Sequence, residues 1–192
     1  GRLARLYLRL GEWSAIHVPH QTIVVSQALA DYFQSRYDQP TCLIPNGYTP
    51  PTPRSPQLIR QWGLDKDNYI LFVGRLVPEK GCHTLIQAFT QVKTGHHLVV
   101  AGRVGHDQSY GQMLQELAGD HDNIHFIGYV QGVLLAELYS NAYLIVHPSQ
   151  LEGLSIVVLE ALSYGNCLLV SDLPENVEAA QGLALTFANG TV

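Results

Sequence analysis

YLIVHPSQLEGLSIVVLEALSYGNCLLVSD, from Tyr143 to Asp172, reads as strand, loop, helix, strand. The apolar run Tyr143–Val146 ends at His147-Pro148-Ser149, and a short polar loop carries Glu152 and Gly153. Ser155 is placed to cap a helix, and Gly165-Asn166 stops it before a second apolar run, Cys167–Val170. Between Gly153 and Ser171 the one formally charged residue is Glu160. Its helix neighbours Ile156, Val157, Val158, Leu159, Ala161 and Leu162 are apolar on nearly all sides, which predicts a buried helix. A buried carboxylate without a partner costs several kcal/mol, so something polar is expected at Glu160, a ligand among the candidates.

Outward from this stretch the same alternation repeats. Strands are predicted at Tyr69–Val73, Leu98–Ala101 and Ile124–Ile127. Helices between them are marked by Cys82, Leu85, Ile86, Phe89 and Val92, by Tyr110, Met113, Leu114 and Leu117, and by Leu135, Leu138, Tyr139 and Ala142. Short apolar strands alternating with helices imply an α/β fold: a Rossmann-like parallel sheet with helices on both faces. Ligands in such folds bind beyond the carboxyl ends of the strands. The loops expected on that edge hold Gly74, Arg75, Glu79, Lys80 and Gly81; Gly102, Arg103 and Gly105; Gly128 and Tyr129; and Glu152 and Gly153. Arg75 and Lys80, with the free N–H groups at the start of the helix of Glu160, make a metal-free site for a phosphate or diphosphate. The competing reading pairs Arg75 and Lys80 with Glu79, Asp172 or Glu175 on the surface. Glu152 and Glu160 flank the start of the same helix, and an ionised carboxylate only accepts, so sugar and ribose hydroxyls suit both.

Before Tyr69 the pattern differs. Leu3, Leu6, Tyr7, Leu10 and Trp13 form an apolar helical stripe beside Arg2, Arg5, Arg9 and Glu12. The plain reading is a helix with a solvated charged side; the sharper one is peripheral contact of residues 1–13 with anionic lipid. Thr22–Val25 and Thr41–Ile44 read as strands, with Ser26 capping a helix that turns Leu29, Ala30 and Phe33 inward. Asn46-Gly47 is expected to make a left-handed turn. Four prolines within residues 50–56 mark a stiff linker, which sets a boundary between residues 1–52 and 53–192. Ser55-Pro56 is expected to open a short helix that Gly63 ends.

Bulk properties narrow the function. The chain has 192 residues, 46% hydrophobic and 14% charged, with net charge −5, so a nucleic-acid binder driven by charge is excluded. No run approaches a membrane span. Cys42, Cys82 and Cys167 are odd in number and far apart, which fits a reducing cytoplasmic compartment better than a disulfide framework. GRLVPEKG, with Glu79 where a glycine is needed, is no Walker A loop, and Gly102-Arg-Val-Gly105 is too short for a dinucleotide fingerprint. His121 and His125 lack a carboxylate pattern to complete a zinc site, and His96-His97 reads as surface. His147, at the end of a core strand, is expected to make a structural hydrogen bond.

EGLSIVVLEAL resembles the E-x-x-x-x-x-x-x-E motif of retaining glycosyltransferases of family 4, which have the GT-B fold. VVSQAL, IPNGY, FVGRLVPEKG, FIGYV, HPSQLEG and SYGNCLLVSDLPEN resemble further marks of that family, in its order. The resemblance implies that Gly74, Arg75 and Lys80 form the diphosphate loop, with the two cations on the donor diphosphate. It implies that Glu152, the catalytic position, meets the donor sugar hydroxyls, and that Glu160 meets the ribose. Gly153, Leu154 and Ser155 would supply backbone amides, and Tyr129 and Val130 would sit at the base. No metal or other cofactor is implied. The implied reaction moves a hexose, with retention, from a nucleotide-diphosphate sugar to an acceptor that is a sugar, a lipid-linked sugar or a protein glycan. Residues 1–52 resemble only the last part of the acceptor domain, and 53–192 the donor-binding domain. The expectation is therefore a donor-binding half, cytoplasmic or peripheral at the inner face of the membrane. The alternative is a non-catalytic nucleotide-sugar-binding or interaction module, active only with a separate N-terminal half. A nucleotide-sugar epimerase suits the paired glutamates less well.

Overall fold

The structure is a computed structural model that describes residues 2–191; Gly1, Val192 and the side chain of Arg2, named above, lie outside the described residues. The chain divides into two compact units, Gly1–Asn46 and Gly47–Val192.

The first unit holds α1 (Arg2–His17), β1 (Ile23–Val24), α2 (Gln27–Tyr37) and β2 (Cys42–Leu43), with β1 and β2 parallel. Ser26 caps α2 as expected, its hydroxyl accepting from the Leu29 N–H, while Leu29, Ala30 and Phe33 are only half-buried. Leu3, Leu6, Tyr7, Leu10 and Trp13 on α1 are all exposed, and Ile16 is the buried residue of this helix. Among the described residues no helix is long and apolar enough to cross a membrane.

The second unit is built on β3 (Tyr69–Val73), β4 (His97–Ala101), β5 (Ile124–Gly128), β6 (Leu144–His147), β7 (Leu168–Ser171) and β8 (Leu185–Phe187). All pairings are parallel, in the order β5-β4-β3-β6-β7-β8. The crossover helices are α3 (Cys82–Gln91), α4 (Gln108–Ala118), α5 (Gly132–Asn141), α6 (Ile156–Ser163) and α7 (Pro174–Ala180). Right-handed crossovers send α3 and α4 to one face and α5, α6 and α7 to the other. Phe72, Leu98, Val100, Cys82, Ile86, Phe89, Tyr110 and Leu114 pack the first face. The strand order reverses between β3 and β6, which opens a crevice at their carboxyl ends.

Several expectations change. Asn46 and Gly47 take no left-handed turn; neither has a positive φ. The short helix after the linker is a 3-10 turn, Leu58–Trp62, and Ser55 does not cap it. Instead Glu137 of α5, 2% exposed, accepts from the N–H groups of Gln57, Leu58 and Ile59 (3.0, 2.7 and 3.3 Å). The acceptor comes from across the fold, so local sequence gives no sign of it. The sheet also gains α7 and β8, where the apolar pattern is too short to announce a strand. His96 and His97 are half-buried and not surface residues: His96 stacks on Tyr143, and His97 Nδ1 lies 2.9 Å from His125 Nε2. All three cysteines are free.

Candidate functional site

The loops after β3, β4 and β5 are tied in series. The Gly74 N–H donates to Ala101 O (3.0 Å) and the Gly102 N–H to Gly128 O (2.8 Å). A Cβ on Gly102 would lie 1.9 Å from Gly74 O, so this approach needs glycine. The result is a cavity of ≈ 200 Å³ lined by Gly74, Arg75, Gly102, Arg103, Tyr129 and Val130, among others. It gathers four of the residues expected at the diphosphate and base. The Arg103 guanidinium sits 5.7 Å from the centre of the Tyr129 ring. Arg75 is exposed and makes no ion pair among the described residues.

The second cluster straddles the switch point. Pro78–Lys80 is a 3-10 turn closed by Gly81 at φ 67°, where a Cβ would lie 2.0 Å from Pro148 O. Glycine therefore lets the loop after β3 press onto the loop after β6. The Gln150 N–H seals the contact by donating to Glu79 O (2.7 Å). This brings Lys80 Nζ to 2.5 Å from Glu152 Oε1. The surface pairings of Lys80 with Glu79, Asp172 or Glu175 do not form; Asp172 accepts from the Asn189 N–H instead.

His147, 2% exposed at the end of β6, places Nε2 at 2.9 Å from the same Glu152 oxygen and 3.0 Å from Ser155 Oγ. A carboxylate only accepts, which puts a proton on Nε2. His147 Nδ1 is buried without a hydrogen-bond partner among the described residues, as a bare acceptor nitrogen tolerates better than an N–H would. Burial pushes the Glu152 carboxyl up, but hydrogen bonds from His147, Lys80 and Ser149 outweigh it and hold the group at about 2. Glu152 is thus an anion at any working pH. Behind it a buried polar chain fixes the loop: the Asn176 amide donates to Ser171 Oγ (2.9 Å), and the Ser171 hydroxyl donates to Ser149 O.

Ser155 caps α6 as expected, accepting from the Val158 N–H at 3.3 Å. Gly153 is half-buried, and Leu154 and Ser155 are buried in the turn that enters the helix. The helix is less enclosed than its apolar sequence predicts: Ile156 is 54% exposed. Glu160 is half-buried and already has a protein partner, since the Tyr139 hydroxyl donates to Glu160 Oε2 at 2.9 Å. No hydrogen bond or ion pair joins Glu160 to Glu152, Arg75 or Lys80 among the described residues. His147 in contact with Glu152, and Tyr139 in contact with Glu160, are the functional neighbours that sequence reasoning left unassigned to the site. Tyr139 reads as one more apolar position of α5, and only packing brings it to α6.

The family model described as glycosyl transferases group 1 matches residues 55–183. An uncharacterized glycosyltransferase of Methanocaldococcus jannaschii is 38% identical over 111 residues, covering 57% of this chain and 28% of that protein. The O-antigen chain mannosyltransferase RfbU of Salmonella typhimurium is 35% identical over 111 residues, covering 57% of this chain and 31% of that protein. Among solved structures, HepE of Anabaena in complex with UDP and glucose superposes with a TM-score of 0.81 at 23% identity. That match covers 96% of this chain and 53% of HepE, so the chain spans about half the length of that neighbour.

Proposed function

The chain belongs to the family of glycosyl transferases group 1, and on that premise we propose that it binds the nucleotide-diphosphate sugar donor of a glycosyl transfer. In this reading residues 53–192 are the donor-binding domain and 1–52 belong to the acceptor side. Arg75 and Lys80 take the diphosphate, helped by the N-terminus of α6 and the amides of Gly153, Leu154 and Ser155. Tyr129 and Val130 border the base, Glu160 accepts from the ribose, and Glu152 accepts from the sugar hydroxyls. The sugar is a hexose, transferred with retention to a sugar, lipid-linked sugar or protein glycan. The leaving diphosphate is stabilised electrostatically by the two cations, and no metal takes part.

One observation carries this reading. At the switch point, a cation and a carboxylate from the loops after β3 and β6 meet at 2.5 Å, and the same strand edge carries a glycine-walled cavity at the ends of β3, β4 and β5. Isothermal titration with UDP and with GDP, both in EDTA, tests it. Micromolar to millimolar binding of either nucleotide is expected, and Arg75→Ala or Glu160→Ala should abolish it. A folded protein that binds neither would overturn the proposal.

A second reading, of a different class, is a binding or interaction module that transfers sugar only with a separate N-terminal half. Nucleotide binding by this chain, with turnover appearing only when such a half is added, would select it. We also propose a cytoplasmic location with peripheral contact through residues 1–13, supported by the exposed Leu3, Leu6, Tyr7, Leu10 and Trp13 beside Arg5 and Arg9. Flotation with anionic but not neutral vesicles is the expected result, and equal flotation with neither would remove it.

A further inference from the structure

We propose that Tyr139 is the positioning residue for Glu160: it fixes one carboxylate oxygen so that the other is presented to the ribose. The inference rests on the reading of Glu160 as the ribose acceptor and concerns how that side chain is held.

Tyr139 lies on α5 and Glu160 on α6, and the phenol hydroxyl donates to Oε2 at 2.9 Å. Oε1 has no hydrogen-bond partner among the described residues. The two oxygens of one carboxylate therefore differ: one is spoken for by the protein and one is open. A glutamate carboxylate otherwise turns about its last torsion in a broad, two-fold potential, so one fixed oxygen sets where the other points.

The holder is itself rigid. Tyr139 is 1% exposed, and its ring stacks on Tyr164 with centroids 5.3 Å apart and planes 15° apart. Its carbonyl accepts from the Asn166 side-chain amide (2.8 Å), and the Asn166 N–H donates to Ala161 O (3.1 Å). The far end of α6 is thus tied to the residue that grips Glu160. Burial, and then the nearby Glu160 charge, push the Tyr139 phenol far up, so it stays a donor at every working pH. Phenylalanine fills the same space, so Tyr139→Phe removes one hydroxyl and leaves the ring stack in place.

A merely structural hydrogen bond and a positioning one predict different things. The first, when lost, weakens every ligand alike or only lowers stability. The second weakens only ligands that carry the ribose hydroxyls. Calorimetry with UDP and 2′,3′-dideoxy-UDP separates them. The wild-type protein should bind UDP more tightly than the dideoxy analogue. Tyr139→Phe should weaken UDP about ten-fold and leave the analogue within about two-fold, as expected for losing a hydrogen bond to a charged acceptor. Tyr164→Phe, which keeps the stack and removes a hydroxyl that does not reach Glu160, should change neither.

If Tyr139→Phe weakens both nucleotides equally, or neither, the positioning role is overturned while the donor-binding reading stands. If the wild-type protein binds neither nucleotide, the donor-binding reading itself falls. Should Tyr139→Phe fail to fold, the wild-type protein still decides. The shielded Tyr139 hydroxyl proton should give a downfield proton resonance that moves with UDP and stays with the dideoxy analogue. A resonance that moves equally with both would refute the assignment.

Discussion

Lys80 Nζ lies 2.5 Å from Glu152 Oε1, so the cation assigned to a diphosphate is held by the carboxylate assigned to a sugar. Both side chains are largely buried, which makes this pair stronger than a surface ion pair. On the proposed reading, donor binding would exchange it: Lys80 would turn to phosphate, and Glu152 would keep its hydrogen bond from His147 while gaining sugar hydroxyls.

That exchange gives the first prediction. Glu152→Gln frees Lys80, so UDP, which has no sugar for Glu152 to meet, should bind about five- to ten-fold more tightly. In a Lys80→Met background the same substitution should change UDP affinity by less than about two-fold, because there is no longer a cation to release. Weaker UDP binding by Glu152→Gln in the wild-type background would contradict the exchange.

The pH dependence of stability follows from the same carboxyl. Its folded value is about 2 against an ordinary 4.5, so the unfolded chain binds the proton more readily. The stabilisation is fully present above the unfolded value and is lost as pH falls from about 4.5 through about 2. We expect roughly 2 kcal/mol, less than the full linkage because the group is not wholly buried. Urea unfolding at pH 7 and pH 3 should show the wild-type protein losing its advantage over Glu152→Gln at the lower pH. A constant difference between the two proteins would refute it.

Glu137 carries a structural prediction. One carboxylate oxygen accepts from the N–H groups of Gln57, Leu58 and Ile59. Glu137→Ala strands all three donors at a buried site and should cost about 3–4 kcal/mol in chemical unfolding. Glu137→Gln keeps one acceptor oxygen and should lose less than half of that.

Gly102→Ala tests the wall of the cavity proposed to border the base. The added methyl would sit 1.9 Å from Gly74 O, backbone that has no flexible end to yield. A loss of about 2–4 kcal/mol is expected in unfolding, with weakened UDP binding. Gly47→Ala, which meets nothing within 4 Å, should be neutral or slightly stabilising.

Much of this could be read from sequence because the signals are local. The Tyr69–Val73 strand, the Ser26 and Ser155 caps and the Gly63 stop depend on neighbours within a few residues. The choice of loops on one edge followed from strand–helix alternation, and five of its residues (Gly74, Arg75, Gly102, Arg103 and Tyr129) do line one cavity. The errors share one cause. Ser55 looked like a cap, yet the donors after the linker turn to Glu137 of α5. The polar partner expected at Glu160 is there, but its identity was hidden for the same reason: it is Tyr139 of the preceding helix. His96 and His97 looked like surface residues, yet Tyr143 and His125 cover them.

The sequence by itself determined the α/β alternation, the glycines of the close approaches and the polar residues gathered at the strand ends. Periodicity, capping and backbone freedom act over a few residues and are written in order along the chain. Only the tertiary structure decided the partners: Lys80 on Glu152, His147 behind that carboxylate, and Tyr139 on Glu160. A hydrogen bond forms only where donor and acceptor come within about 3 Å. For side chains on different elements, that distance is set by the strand order and by helix packing, not by spacing in the chain. The lone carboxylate of an apolar helix is thus half-buried and held on one oxygen by Tyr139.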